Sequence, residues 1–401
     1  MRDALRSLVA LRGVLDDAVM RRLCVLLDAL MACGDDTAAG PLRCCPARVI
    51  DAYAEFAGAL LKHTEDWSQY LLCLALEDVN AYVLRRAKGQ PPGEALKESV
   101  RSDLATLQAL STLDAARVKS RIGCEGFLPE WRTRDIGFEA EYEARMEALP
   151  VRGYGIYANY HMFSLSGETI VPVRRPDEVK LDGLIGYERQ RSAIVRNTLA
   201  LLSGRPAANA LLYGDAGTGK SSTVKAVVNE YHERGLRLIE VKKSQVAHIP
   251  AVMEALSEVP LKFILFIDDL SFTGEGDDYY AIKAVLEGSA SAKAANTVVY
   301  ATSNRRHLVR ELFSDRGGDD VNVNETLQEL CALSDRFGLT VGFFKPNKDQ
   351  YLEIVRALAA RHGLRMDEKA LDEQAERFAL SSGRSPRAAQ QLIAYISSMG
   401  E

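Results

Sequence analysis

Gly214-Asp215-Ala216-Gly217-Thr218-Gly219-Lys220-Ser221-Ser222 follows directly on the apolar run Ala210-Leu211-Leu212-Tyr213. The nine residues fit G-x-x-x-x-G-K-[ST], the phosphate-cradling P-loop, and the apolar run is the strand that must precede it. Its glycines let the chain turn so that backbone N–H groups face inward around an anion. Lys220 offers a cation to β- and γ-phosphate oxygens, and Ser221 offers a hydroxyl to Mg²⁺. A helix predicted to begin here directs its positive end at the same point. A purely structural glycine turn would need none of this chemistry, so the motif is read as nucleotide-binding.

Acidic residues stand where an open parallel sheet would deliver them to that turn. Phe263-Ile264-Leu265-Phe266-Ile267 is apolar throughout, as a strand buried on both faces must be, and Asp268-Asp269 closes it. Asp268 is then the carboxylate that holds Mg²⁺, and Asp269 the one that orients or deprotonates an attacking water. A second apolar run, Val298-Val299-Tyr300-Ala301, ends in Thr302-Ser303-Asn304, whose amide suits the water or the γ-phosphate. Arg336, in Leu333-Ser334-Asp335-Arg336-Phe337-Gly338, has the chemistry of a finger that stabilises a transferring phosphoryl group. Arg387 follows Pro386 at a predicted helix start and would face the nucleotide from there. Upstream, Leu184-Ile185-Gly186-Tyr187 is apolar and bendable; Ile185 and Gly186 would wall the adenine.

The rest of the chain frames this core. At 401 residues it exceeds one ordinary core, so two or three domains are expected. The net charge of −5 gives no whole-chain argument for nucleic-acid binding. Six of seven cysteines precede residue 125 without a C-x-x-C pair, which favours free thiols in a reducing cytosol. Without an eighteen-residue apolar run or a signal-like N-terminus, the expected location is cytoplasmic, with no membrane partner.

Residues 1–150 carry three- and four-residue apolar spacing, such as Val19, Leu23, Leu26, Leu27 and Leu30, and read as an α-helical domain that binds a partner. Breaks are expected at Gly34–Pro46 and at Gly89–Gly93, with one helical block between them over Ala47–Ala87. Residues 151–176 read as a β-hairpin around Ser166-Gly167-Glu168 and a linker. Its tyrosines and arginines suit stacking on single-stranded nucleic acid, but no longer basic run accompanies them, which favours a hairpin docked on the core. Residues 177–345 alternate strands and helices, and 346–401 return to helix as a lid. Strands are expected at Ala210–Tyr213, Leu236–Val241, Phe263–Ile267, Thr297–Thr302 and Leu339–Phe344. Arg305, Arg306, His307 and Arg310 form the densest basic cluster, equally suited to a subunit interface, to nucleic acid or to a solvated helix face. Gly317–Asp320 reads as a surface loop.

The order and spacing of these motifs over residues 177–400 resemble an AAA+ ATPase. Strings such as DGLIGYERQ, FILFIDDLSF and YATSNRRHL also resemble a bacterial family of predicted ATP-binding proteins catalogued as a domain of unknown function. The Arg336 and Arg387 strings resemble the Holliday-junction branch-migration motor and its initiator and clamp-loader relatives. The resemblance implies a P-loop NTPase core with a helical lid, ATP and Mg²⁺ as ligands, and a homo-oligomer such as a ring. Its macromolecular partner, protein or nucleic acid, is left open. Two departures stand out. Asp269 occupies a place where most AAA+ enzymes carry Glu, which implies slow hydrolysis. Lys242–Pro250, where unfoldases carry an aromatic pore loop, has no aromatic residue, which disfavours polypeptide threading. The alternative to a motor is therefore a nucleotide-gated switch, loader or scaffold. A P-loop kinase fits Asn304 and the lid poorly, and a GTPase would need an N-K-x-D string that the chain lacks.

Overall fold

A computed structural model describes residues 1–32, 46–122, 126–270, 277–287, 295–304 and 336–399. The basic cluster at 305–310, the 317–320 loop, the break at 34–45 and Cys33, Cys44, Cys45, Cys124 and Cys331 lie outside the described residues. Cys24 and Cys73 are free thiols. The chain divides into two compact units, Met1–Ala158 and Asn159–Glu401. No helix among the described residues is long and apolar enough to cross a membrane.

The first unit is helical, with a core that includes Tyr53, Phe56, Trp67, Leu107 and Phe138, all fully buried. The single block expected over Ala47–Ala87 is three helices, Pro46–Leu60, Trp67–Glu77 and Ala81–Ala87. Two caps cause the breaks. Asp66 accepts from the Gln69 amide, and Asn80 accepts from the amides of Tyr82 and Val83, so each restarts a helix inside an unbroken apolar pattern. Buried Asp103, on the helix Glu94–Ser111, accepts from the amides of Val9, Ala10 and Leu11 at 2.7–3.0 Å and fixes the N-terminal segment. Trp67 donates its indole N–H to the Leu110 carbonyl at 3.0 Å, which satisfies a polar atom inside that core.

The second unit is built on a seven-stranded sheet in the order β2-β1-β4-β5-β6-β3-β7. The strands are β1 Met162–Ser166, β2 Thr169–Pro172, β3 Ala210–Gly214, β4 Leu236–Glu240, β5 Lys262–Ile267, β6 Thr297–Ser303 and β7 Leu339–Phe343. Every pairing is parallel except β1 with β2. Phe263 to Ile267 of β5 are fully buried, as required of a strand flanked by strands and covered on both faces. The two strands expected within 151–176 are β1 and β2, and β1 pairs with β4, so the hairpin extends the main sheet rather than lying against it. Helices Lys348–Arg361, Glu368–Ser382 and Pro386–Met399 pack on their own apolar cluster, centred on Tyr351, Val355, Ala375 and Ala389. This is an α/β fold, a mostly parallel sheet with a glycine-rich turn after β3 and a C-terminal helical lid, as the sequence reading expects.

A polar joint ties the β1 edge to the helix Lys220–Tyr231. Asn229 donates its amide to the carbonyls of Asp177 and Val179, so its oxygen must accept, and His161 Nε2 at 3.1 Å therefore carries the proton. The His161 ring lies 4.5 Å from the His232 ring. Burial, the His232 charge and Arg237 together hold His161 below its ordinary value of 6.5, against the hydrogen bond to Asn229. The unfolded chain then binds more protons than the folded one as pH falls through and below 6.5. Thermal unfolding followed by circular dichroism should show stability declining over that range, with a shallower decline for His161→Gln. Parallel profiles for the two proteins would contradict this assignment.

Candidate nucleotide site

The glycine-rich turn leaves β3 and is pinned to β7. Asp215 donates its N–H to the Phe343 carbonyl at 2.9 Å, and its carboxylate accepts from the Lys345 amide at 2.7 Å. Gly214 lies at φ +128°, and a Cβ there would stand 2.0 Å from the Phe343 oxygen, so this close approach requires glycine. Gly217 and Gly219 adopt φ of +76° and +90°, which turns the intervening amides toward one point. The helix Lys220–Tyr231 starts at the end of that turn.

Lys220 is 7% exposed. Its ammonium donates to the carbonyls of Gly214 and Asp215 at 2.9 and 2.8 Å and to Asn304 Oδ1 at 3.1 Å. Burial pulls its pKa below 10.5; Asp215, Asp269 and Asp268 raise it, and Arg387 lowers it. Ser221 Oγ donates to Asp268 Oδ1 at 2.6 Å, and Thr302 Oγ1 donates to the same oxygen at 2.5 Å. The Asp269 amide donates to Thr302 Oγ1 at 2.9 Å, while its carboxylate accepts from Asn304 Nδ2 at 2.8 Å. Asp269 holds φ +55°, a left-handed conformation that Asp tolerates better than most residues and that turns its side chain toward Asn304. The carboxyl ends of β3, β5 and β6 thus carry one connected polar string: Ser221, Asp268, Thr302, Asp269, Asn304 and Lys220.

These residues line a cleft of about 270 Å³ together with Ile185, Gly186, Ala216, Gly217, Thr218, Gly219, Ser222 and Arg387. The cleft has an apolar end made by Ile185, Ile354 and Leu358, and a polar end at the glycine turn. Gly214 and Asp215 lie behind it, in the pinned base of the turn. Arg387 reaches from the lid and donates its backbone N–H to the Gly217 carbonyl at 3.2 Å. Arg336 is not among the residues lining the cleft. The residues fit the expected ligands: Ser221 and Asp268 are hard oxygen donors side by side, suited to Mg²⁺, and the amides of a glycine turn beside a buried ammonium suit a polyphosphate.

Sequence reasoning missed several contributors. Thr302 sat inside the quoted β6 string, but only pairing β5 beside β6 shows that it bonds both aspartates. Tyr187, at φ +61°, donates its hydroxyl to the Phe344 carbonyl at 2.6 Å. Ile354 and Leu358 share a helix face at i, i+4, a signal that reads equally as lid core.

A family model described as "Protein of unknown function (DUF815)" matches residues 157–399, more than half of the chain. The chain belongs to this family. The DUF815 chain is also 24% identical over 242 residues to the chaperone protein ClpB of Staphylococcus epidermidis, covering 54% of this chain and 25% of that one. It therefore spans about a quarter of that curated relative's length. Among solved structures, the Thermotoga maritima RuvB Holliday junction branch migration motor aligns with a TM-score of 0.39 at 18% identity, over 55% of this chain and 65% of that one. AMPPCP-bound DnaA from Aquifex aeolicus aligns with a TM-score of 0.39 at 18% identity, over 56% and 66%.

The double use of Thr302 has a measurable consequence. Thr302→Val leaves the Asp269 amide without its acceptor and Asp268 without one of its two donors. Urea denaturation of the full chain should show a loss of about 1–2 kcal/mol. A loss indistinguishable from zero would mean that the hydroxyl does not join the two strand ends.

Proposed function

We propose that this chain binds ATP with Mg²⁺ and hydrolyses it in a homo-oligomer, coupling the cycle to conformational change on a macromolecular partner. The observation that carries the reading is the connected string from Ser221 to Lys220 at the mouth of a glycine turn. Each of its groups has a distinct task in phosphoryl transfer. Lys220 is held by three oxygens from the turn and Asn304, and exchanges them for phosphate oxygens when the polyphosphate enters. The amides from Ala216 to Ser222 cradle the anion, and the helix start adds its positive end. Ser221 and Asp268 would hold Mg²⁺, which when bound neutralises charge on the β- and γ-phosphates. Asp269 accepts a proton from the attacking water, and Asn304, bonded to Asp269, holds that water in line. Ile185 and Gly186 wall the base, and Arg387 closes the lid over the phosphates.

Arg336 acts in trans in this proposal, which agrees with its place outside its own chain's cleft. The helical first unit recruits the partner, and its separate core supports an independent recognition module. Location in the cytoplasm belongs to the same proposal. A second reading, a slow nucleotide-gated switch or loader, is favoured by Asp269 itself. Its carboxylate is one methylene shorter than glutamate and is engaged by Asn304 at 2.8 Å, which draws it back from a water placed for attack.

Lys220→Ala should abolish saturable ATP binding in equilibrium titrations of the full chain. Undiminished binding would remove the glycine turn from the site. Arg336→Ala should keep ATP affinity yet lose turnover by ~10³-fold or more in the assembled protein, by analogy with other arginine fingers. The check is steady-state phosphate release on assemblies matched by native mass. Equal rates in matched assemblies would end the finger assignment.

A further inference from the structure

Arg191 has no part in the phosphate chemistry above, yet it lines the cleft and its side chain is only 15% exposed. It sits in the first turn of the helix Glu188–Leu202 and reaches back over the segment that precedes that helix. One guanidinium nitrogen, Nη1, donates both to the Leu184 carbonyl at 2.7 Å and to the Gly186 carbonyl. The other, Nη2, donates to Glu188 Oε1 at 3.2 Å. Two carbonyls aimed at one point repel each other, and a cation between them converts that repulsion into two charge-assisted bonds.

The segment so held cannot keep its shape through side-chain packing alone. Gly186 and Tyr187 are consecutive left-handed residues at φ +79° and +61°. That conformation is unfavourable for tyrosine and persists only where its surroundings over-determine it. A Cβ on Gly186 would stand 3.3 Å from Ile354 Cδ1, so the backbone lies directly against the lid residue that closes the apolar end of the cleft. Tyr187 closes the other side through its hydroxyl on Phe344. Between Arg191 and Tyr187 the backbone of Leu184 to Gly186 is fixed at both ends. Ile185 lines the cleft from this fixed frame.

We propose that Arg191 is the positioning residue for base recognition: by clamping the Leu184 and Gly186 carbonyls it shapes the wall that selects the adenine base over guanine, without touching the phosphates. The proposal rests on the nucleotide reading of the cleft and adds a division of labour within it. The arginine whose charge is felt at Lys220 is Arg387, from the lid. Arg191 acts at the opposite, apolar end, through carbonyls that it holds and not through the ligand's charge.

The test compares two ligands on the full chain with Mg²⁺ present: a non-hydrolysable ATP analogue and inorganic tripolyphosphate, which lacks a base. Wild type should bind the analogue more tightly than tripolyphosphate. Arg191→Ala should weaken the analogue by about tenfold or more, the worth of a charge-assisted bond pair, while tripolyphosphate affinity stays within about twofold. The preference for the ATP analogue over its guanine counterpart should narrow in parallel. Should the alanine variant fail to fold, Arg191→Lys carries the comparison; it keeps the charge but not the planar fork, and should weaken only the base-bearing ligand, by about threefold. Equal weakening of both ligands would make Arg191 a phosphate-field residue and overturn the proposal, as would no weakening of either. A wild type that binds tripolyphosphate and the analogue equally would overturn base recognition while leaving the phosphate site standing. A wild type that binds neither would overturn the nucleotide reading itself.

Discussion

An ammonium taken out of water must be given oxygens in return, and much of this site is arranged around that requirement at Lys220. Removing a charged group from water without compensation costs several kcal/mol. Here the compensation comes from three directions: two carbonyls of the turn itself and the side-chain oxygen of Asn304 at the end of β6. Those carbonyls are available because Gly214 brings the turn against β7, where no side chain at 214 would fit. Asn304 is available because β6 lies beside β3 in the sheet, although 84 residues separate it from Lys220. None of these three oxygens belongs to a carboxylate, although Asp215, Asp269 and Asp268 lie close enough to raise the Lys220 pKa. A polyphosphate, the ligand proposed above, would offer the ammonium stronger partners than neutral carbonyls do.

The paired aspartates divide their work by geometry. Asp268 receives hydroxyl bonds from Ser221 and Thr302 on the same oxygen, so its carboxylate is aligned while its second oxygen has neither of these donors. Asp269 continues the chain into a left-handed residue, and its amide is bonded to the same Thr302 that serves Asp268. One hydroxyl therefore sets the relative orientation of both acids. A longer acid at 269 would place its carboxylate about one methylene further from the backbone. The shorter aspartate reaches Asn304 and so couples residue 269 to the side chain that also solvates Lys220. Displacement of Lys220 by phosphate would thereby be communicated to Asp269 through one side-chain amide.

The parts legible in the sequence were those governed by local patterning. The five expected strands are β3 to β7 within a residue or two; the all-apolar run of β5 reads most directly, while Arg237 in β4 and exposed Thr340 on edge strand β7 interrupt their patterns. The P-loop turn was legible because its glycines and lysine have no cheaper structural use. What escaped notice depends on pairing over long sequence distances. Nothing in Met162–Ser166 states that it will pair with β4, some seventy residues on, and so extend the sheet. Asp66 and Asn80 cap helices within a continuous apolar periodicity, where a polar residue reads simply as a solvated position. Nothing in the sequence marks Arg191 out from other helix charges; its carbonyl partners five and seven residues upstream do so only in the fold.

The same contacts separate what is rigid from what can move. Asn229, near the end of the helix Lys220–Tyr231, grips the carbonyls of Asp177 and Val179, and Arg191 grips those of Leu184 and Gly186. The segment from 177 to 187 is thus fastened to the P-loop helix at its start and to its own following helix at its finish. In the proposed nucleotide site, base wall and phosphate turn then form one body. The lid meets that body through a different class of contact: the Arg387 amide on Gly217, the Arg361 guanidinium on the Asp182 carbonyl at 3.0 Å, and Ile354 against Gly186. Each of those bonds is worth about 0.5–1.5 kcal/mol, or up to about 3 where charged, and water can replace it when the lid swings away. Loosening the wall would instead expose two carbonyls forced toward each other and a strained tyrosine. A ligand that bridges wall, turn and lid therefore does its work on the lid, since that is the element whose displacement costs least.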